Sequence, residues 1–480
     1  MKRVVYSLLT AFVMLVIPVA QAENLSVDRA KDAAAHYMQH NTVFTRITPE
    51  QLTLARQWNN EELGVPSMYL FTAPKEGWII MAATTVMDPI VAFADDNTID
   101  VDNIAPQFEY LLSKHNEMIC AVQKADAEKG FVDSENWIVL ANHQLHGSKS
   151  DHVLLSTAWN QGTGNDYNIF CPVVNGSKSP TGCVATALAQ ICKYYEYPKK
   201  PQDRVSYWNA RGNIRMSINF DTVPPLDYSL MPNFLSPNTA YNKKREVSRL
   251  GYYVGLAVQM QYGAELSGSD DGPAVNGMFK YFKYSYGTIV SRRSVNDTNF
   301  LNSTRRELMK NRPLYMGGSD TSSHADHSSG HAWVCDGYQD GNTTMYHMNW
   351  GWGRTGNGFY NLGINDIPID GQPYNFNVGQ SIIINMVPPQ DSTSRQIGIS
   401  EVENAVTLGR PYPNPATLEV VLPYSIREAA DLQVYSVSGH LVISRRLQAG
   451  NDEITLNVDA LPSGIYIYRV GDAHGKFIVR

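Results

Sequence analysis

Charge of either sign is scarce along this chain, and cysteine scarcer still. Only 18% of the 480 residues are Asp, Glu, Lys or Arg, and the formal net charge is -7. With no positive excess and no run of Lys and Arg, the chain lacks the electrostatic footprint of a nucleic-acid binder, and that class is excluded. Cysteine occurs five times, at 120, 171, 183, 192 and 335, and no two form a Cys-x-x-Cys pair. A zinc ribbon and a thioredoxin-like redox site therefore have no support. Long hydrophobic runs are also missing after residue 22, so no transmembrane segment is expected in the mature protein.

What the chain does have is enough apolar material for several cores, with 43% hydrophobic residues over a length that calls for two to four domains. Residues 1–22 have the form of a secretory signal. Lys2 and Arg3 give a basic start, Val4 to Ile17 an apolar stretch, and Ala20-Gln21-Ala22 the small residues of a cleavage site. The apolar stretch is shorter than the ~20 residues that span a bilayer, which favours a removed signal over an anchor. In an exported protein, an odd cysteine count points to a free thiol.

Residues 23–145 pattern as a small α+β unit. Val27 to His40 carries apolar residues at helical spacing, Met68 to Phe71, Trp78 to Ala83 and Ile90 to Phe93 have the composition of short strands, and Phe108 to Glu128 that of a longer helix. A polar stretch at 142–150 resembles an exposed linker of the kind that proteases cut. In the next region, 146–388, helices come first (Glu246 to Met260, Thr304 to Asn311). Strand-like runs follow at Pro313 to Met316, Ala332 to Tyr338, Thr344 to Trp350, Gly358 to Leu362 and Ser381 to Met386. That order argues for an α+β fold rather than βαβ units. Residues 389–404 form a linker, and 405–480 alternate apolar and polar residues between close turn signals, the pattern of a small all-β sandwich.

The chemistry is concentrated in three segments. Pro180-Thr181-Gly182-Cys183 precedes an apolar helical run, Val184, Ala187, Leu188, Ile191 and Tyr195, with Thr181 as the expected N-cap. A thiol attacks as the thiolate, and its ordinary pKa of ~8.5 must be offset. A helix N-terminus and a nearby imidazolium both favour the ionised sulfur. Cys192 lies about half a revolution further round at ~3.6 residues per turn, so it faces away from Cys183. Downstream, His331 opens an apolar strand after Gly330, and Asn349 ends the next strand-like run. A hairpin would bring Asn349 near enough to fix the imidazole tautomer. A lone cysteine is as readily a small core residue; the downstream pair favours a nucleophile.

Residues 151–388 resemble the streptopain family of secreted bacterial cysteine peptidases, papain-like in fold. The resemblance runs through Trp159-Asn160-Gln161-Gly162, Gly182-Cys183-Val184-Ala185-Thr186-Ala187, Gly330-His331-Ala332 and His347-Met348-Asn349-Trp350-Gly351-Trp352-Gly353. It implies Cys183 as nucleophile, His331 as general base and acid, and Asn349 as the residue that orients the histidine, with Trp350 shielding that contact from water. Gln161 would donate to an oxyanion hole beside the backbone N–H of Cys183. Ser269 and Gly330 would bind substrate backbone, and a hydrophobic residue two positions before the cleaved bond would be preferred. Two departures, the longer approach to the histidine at 317–329 and a loop after Leu362 with fewer glycines, would border the cleft. His324, Asp326, His327 and His331 could be read as metal ligands, but small hydroxyl-rich residues surround them and no helix is evident to hold them, so neither a metal nor a cofactor is expected.

Residues 23–145 resemble the streptopain-type propeptide, on Gly77-Trp78-Ile79-Ile80-Met81-Ala82-Ala83 and Asp88-Pro89-Ile90-Val91-Ala92-Phe93. Such a segment would act as an intramolecular inhibitor until cut away between about 142 and 155; a permanent N-terminal domain is the alternative. Residues 405–480 resemble the sorting domain of type IX secretion, on Pro411-Tyr412-Pro413-Asn414-Pro415, Val434 to Gly439, Leu461 to Tyr466 and the terminal Lys476-Phe477-Ile478-Val479-Arg480. The implied partners are that secretion machinery and protein or peptide substrates, with export through the periplasm of a Gram-negative bacterium to the medium or cell surface. The expected function is a secreted cysteine endopeptidase made as a zymogen. The rivals are a surface adhesin that keeps a peptidase-like fold and a Cys-His acyl or amide transferase.

Overall fold

The computed structural model describes residues 23–142, 152–295, 297–319, 330–362, 379–389, 406–408, 411–426, 428–437, 440–471 and 473–480. The signal segment, most of the 142–150 linker, the approach loop at 320–329 and the linker at 390–404 lie outside them. Two compact units emerge, one mainly from residues 23–142 and the other mainly from those after 152.

In the first unit, helix α1 (Val27–Asn41) begins where the Ser26 hydroxyl accepts from the Arg29 N–H, and it buries Ala30, Ala34, Ala35 and Met38. This places the four alanine and methionine side chains at helical spacing on one face. Strands β1 (Thr53–Asn60), β2 (Val65–Thr72), β3 (Trp78–Ala82) and β4 (Ile90–Ala94) pair in sequence as an antiparallel meander. Every residue of β3 and β4 is buried, which is why both appear in sequence as unbroken apolar runs rather than alternating ones. Helices α2 (Pro106–Lys129) and α3 (Glu135–Ala141) complete the unit. β1 and α3 are not among the elements expected from the sequence. In β1 (TLARQWNN) only Trp58 and Asn60 are buried, so it carries little of the apolar signal that marks a strand.

The second unit opens with β5 (His152–Val153), a short hairpin β6 (Val173–Val174) and β7 (Ser177–Lys178), and then helix α4 (Cys183–Tyr195). Val184, Leu188 and Ile191 of α4 are almost wholly enclosed, each contributing roughly 1.5–3 kcal/mol of burial. Next come the hairpin β8 (Arg204–Asn209) and β9 (Ile214–Asn219), helix α5 (Tyr241–Ala257), the short pair β10 (Gln261–Tyr262) and β11 (Ser267–Gly268), and helix α6 (Asp271–Lys280). The rest is strand β12 (Thr288–Ser291), helix α7 (Asp297–Met309), and strands β13 (Leu314–Ser319), β14 (Gly330–Gln339), β15 (Met345–Asn349), β16 (Gly358–Tyr360) and β17 (Ser381–Ile384). The strands form an antiparallel sheet in the order β16-β15-β14-β13-β17-β12, with β5 beside β14. Helix α4 lies on β14, so the helix of Cys183 and the strand of His331 share one core.

A second, separate core closes the C-terminal region, where Val420, Leu422, Leu432, Val434, Tyr468, Val470 and Phe477 are among the residues that meet. Strands β18 (Val406–Leu408), β19 (Glu419–Ile426) and β22 (Gly450–Asn457) make one sheet. Strands β20 (Ala430–Ser436), β21 (Leu441–Leu447), β23 (Gly464–Val470) and β24 (Ala473–Val479) make the other. The alternation expected of a half-buried strand is plain in β23 and β24, where every second residue faces the core.

Candidate active site

Helix α4 starts at Cys183, but its cap differs from the sequence expectation. The N-cap residue is Gly182, at φ +85°, and it makes no side-chain cap bond. Thr181 is enclosed and its hydroxyl donates to the Tyr167 carbonyl at 3.0 Å, so it cannot serve the helix. The uncapped first-turn N–H groups are left facing the region of the thiol, the arrangement that favours an anion at a helix start.

Cys183 is half-buried. Burial pushes its thiol above the ordinary value, while hydrogen bonds from the backbone N–H of Ala332, Val184 and Cys183 itself, and the charge of Arg211, pull it down. The Ala332 contact ties the sulfur to the residue after His331. On the imidazole, burial dominates and lowers the pKa to about 4, opposed by the hydrogen bond to Trp350. Both groups are therefore shifted toward their neutral forms by burial.

The orientation of His331 comes from an unexpected atom. Its Nε2 lies 2.9 Å from the Trp350 carbonyl oxygen. A carbonyl only accepts, so Nε2 carries the proton and Nδ1 is the ring nitrogen able to accept one. Asn349, expected in that position, is turned elsewhere: its Nδ2 donates to the Thr157 carbonyl at 2.6 Å, and its Oδ1 accepts from Gln190 Nε2 at 3.1 Å. Strand pairing does bring Asn349 close, opposite Val334 on β14. The side chain is buried and directed to α4 and the 157–159 segment, and there its two hydrogen bonds are satisfied. Trp350 was expected to shield an Asn349–His331 contact that is not formed; its ring stacks on the imidazole at 6.2 Å between centroids, and Trp352 is nearer, at 4.8 Å and 21°. Trp333 adds a third stacked ring at 5.9 Å. Trp352 stands in the motif at 347–353, where the sequence assigns it no role.

Gln161 is fixed by its backbone at both sides. Its N–H donates to the Gly351 carbonyl at 2.8 Å, and its carbonyl accepts from the Gly182 N–H at 3.0 Å. It is thus held against the residue before Cys183. Its Oε1 is buried and has no hydrogen-bond partner, so the carboxamide is not committed to the protein. Gly330, exposed at the head of β14, has room for a side chain, whose Cβ would come no nearer than 3.9 Å to the Gly318 carbonyl oxygen. Ser269 follows β11, whose Ser267 carbonyl abuts Gly182; its own hydroxyl donates to the Val258 carbonyl at 2.6 Å, leaving its backbone as the part able to meet a ligand. Of the residues expected at the site, Gln161 is tied by its backbone to Gly182 beside Cys183, His331 is bonded to the Trp350 carbonyl, and the Asn349 side chain is engaged elsewhere.

All five cysteines are free thiols, including Cys120, Cys171, Cys192 and Cys335. Among the described residues no cluster of His, Cys, Asp and Glu could hold a metal, and no helix is long and apolar enough to cross a membrane. His324, Asp326 and His327 fall outside the described residues.

A thiol at a helix start, an imidazole oriented by a backbone carbonyl, and helices preceding an antiparallel sheet define a papain-like cysteine peptidase. Three segments of the chain match known families. Residues 159–360 match the Peptidase C10 family, residues 22–119 the Spi protease inhibitor family, and residues 410–480 the secretion system C-terminal sorting domain. Streptopain of Streptococcus pyogenes is 27% identical over 389 residues, which cover 75% of this chain and 91% of streptopain. The thiol protease/hemagglutinin PrtT of Porphyromonas gingivalis is 25% identical over 373 residues; this chain spans 41% of that protein's length. A prointerpain A fragment from Prevotella intermedia shares the fold, with a TM-score of 0.55 and 24% identity over 71% of this chain and 99% of the fragment. The chain thus carries a segment similar to the Peptidase C10 family of cysteine peptidases, with a Spi protease inhibitor-like segment before it and a secretion system C-terminal sorting domain after it.

Proposed function

We propose that the protein is an exported endopeptidase zymogen in which Cys183 attacks the peptide carbonyl after passing its proton to Nδ1 of His331. The observation that carries this reading is the Trp350 carbonyl on Nε2, which leaves the other ring nitrogen as the proton acceptor. The imidazolium then returns the proton to the leaving amine, giving an acyl-enzyme that water hydrolyses. The oxyanion would be met by the backbone N–H of Cys183 and by Gln161 Nε2, since the carboxamide's buried carbonyl is unpaired and its rotation can be set by substrate. The three stacked tryptophans exclude water on one side of the imidazole and present π faces to the imidazolium. Gly330 and the backbone of Ser269 would pair with substrate main chain, and a hydrophobic residue two positions before the scissile bond would be preferred.

In this reading residues 23–145 inhibit the enzyme until they are removed. The cut is further bounded by the way the peptidase uses its first residues. His152 and Val153 pair with Tyr338 and Gly337 of β14. The Leu154 N–H donates to the Asp336 carbonyl at 2.8 Å, and the Leu155 N–H to its carboxylate at 3.2 Å. Cutting after 152 would break up the β5 edge strand, and cutting after 155 would also discard the hydrogen bonds of the Leu154 and Leu155 N–H groups, so processing is expected within 143–151, a narrower window than the sequence alone offered. Active enzyme added to Cys183→Ala zymogen, followed by N-terminal sequencing, checks this; a mature terminus beyond residue 153, or resistance to cleavage in that stretch, refutes it.

The C-terminal sandwich would be read by the type IX machinery, with release or surface attachment after passage through the outer membrane. Deleting residues 405–480 is expected to leave the peptidase in the periplasm, measured by immunoblot of fractionated cells. Unchanged export of the truncated chain would remove the sorting role.

A further inference from the structure

The helix carrying Cys183 buries one long polar side chain in an otherwise apolar interior. Gln190 is wholly enclosed, and it makes two hydrogen bonds, neither within its own helix. Its Oε1 accepts from the backbone N–H of Trp159 at 3.0 Å, and its Nε2 donates to Asn349 Oδ1 at 3.1 Å. Asn349 in turn donates to the Thr157 carbonyl at 2.6 Å. The two carboxamides thus form one bridge that grips the chain at Thr157 and again at Trp159, two residues before Gln161. Farther along, the same segment is held by the Gly353 N–H on the Trp159 carbonyl at 3.2 Å and by the Gln161 N–H on the Gly351 carbonyl at 2.8 Å.

We infer that Gln190 and Asn349 are positioning residues for the oxyanion-stabilising segment, and that Asn349 does not act on the histidine. A buried amide pair in which each nitrogen and oxygen has a partner fixes a segment far better than a surface loop could, because an alternative arrangement leaves a desolvated polar group unpaired. Displacing Gln161 by even ~1 Å weakens a hydrogen bond that matters only when the oxyanion has formed, which lowers turnover rather than substrate binding. The inference rests on the reading that Cys183 is the nucleophile and Gln161 an oxyanion donor.

The test compares Gln190→Met, which keeps volume and removes both hydrogen bonds, with Asn349→Ala, each processed to the mature enzyme. For both, kcat on a peptide substrate is expected to fall roughly 10–100-fold with KM within about twofold. Affinity for a peptide aldehyde, whose hemithioacetal oxygen occupies the oxyanion position, should fall by the same factor. The rate at which iodoacetamide alkylates Cys183, and its pH profile, should match wild type, because alkylation forms no oxyanion and the thiol–imidazole pair is untouched. A shifted alkylation profile in Asn349→Ala would place Asn349 on the histidine and overturn the inference. So would unchanged aldehyde affinity in a folded Gln190→Met protein. If Gln190→Met does not fold, Asn349→Ala carries the test alone. Failure of the parent reading is distinguishable, since wild-type activity would then survive complete alkylation of Cys183.

Discussion

Replacing Cys183 with alanine is expected to lower kcat/KM on an unfolded protein substrate by at least about four orders of magnitude, and to abolish self-processing. The change removes one sulfur from a half-buried position, so the cost in stability should stay near 1 kcal/mol and the variant should accumulate as intact zymogen. The nucleophile has no substitute within reach of its chemistry. Burial keeps Cys192, Cys171 and Cys335 protonated: the first two thiols are pushed up to about 12, and the third well above its ordinary value. Cys192 also lies on the enclosed side of α4, whereas Cys183 is partly open. A His331→Ala variant should lose nearly as much, and the double variant no more than either single one, because thiol and imidazole ionise as a unit. Residual hydrolysis above about one per cent in the Cys183→Ala protein, measured with a fluorogenic peptide after full propeptide removal, would show that another group carries the reaction.

The pattern of what could be foreseen in the sequence follows the physical signals available. Cys183 and His331 were legible because each stands beside a strong periodic element, and because their types have little other reason to occur with glycine at a helix start and a strand head. The meander β2-β3-β4, helices α1 and α2, and the strands of the C-terminal sandwich were legible by period. The hairpin β8-β9 and helix α6 were not. In Arg204–Asn209 only Val205 and Asn209 are buried, and α6 contains Gly272, Pro273 and Gly277, residues that lower helix propensity.

The expectation for Asn349 failed for a different reason. Strand pairing fixes where a backbone lies but not which of several polar neighbours a carboxamide will choose. Here a fully enclosed glutamine on the opposite helix offers a donor, while the adjacent Trp350 carbonyl already takes the imidazole. A signal for Gln190 existed all the same, as the one long polar side chain in the run from Val184 to Ile191. Thr181 was misjudged because cap propensity does not register that a buried carbonyl, that of Tyr167, competes for the hydroxyl. Nothing in the sequence marks Arg211, which the fold brings near the thiol from the turn after β8.

Gly182→Ala should produce the second large effect, and it separates geometry from chemistry. Gly182 sits at φ +85° and ψ 156°, a region that residues with a Cβ occupy only at a cost of about 1–3 kcal/mol. A Cβ there would also run into Met260 Cε and come within 2.6 Å of the Ser267 carbonyl oxygen and 3.1 Å of its carbon. Methionine can move, but the Ser267 backbone belongs to β11 and is paired with Tyr262, so the helix start must shift instead. Overpacking of that kind adds a further 1–3 kcal/mol, and a fall in Tm on the order of 10 °C is expected by calorimetry of the mature enzyme. The same displacement moves Cys183 and breaks the hydrogen bond from the Gly182 N–H to Gln161, so kcat should drop at least about 100-fold even at temperatures where the protein is folded. Gly330→Ala is the matched control on the other side of the cleft. The nearest atom to a Cβ there is the Gly318 oxygen at 3.9 Å, so stability should hold within about 0.5 kcal/mol. If substrate main chain does run beside Gly330, KM alone should rise. A Gly182→Ala enzyme with wild-type Tm and turnover would mean that β11 yields freely, and that the close seating of the helix start against it is not what aims the thiol.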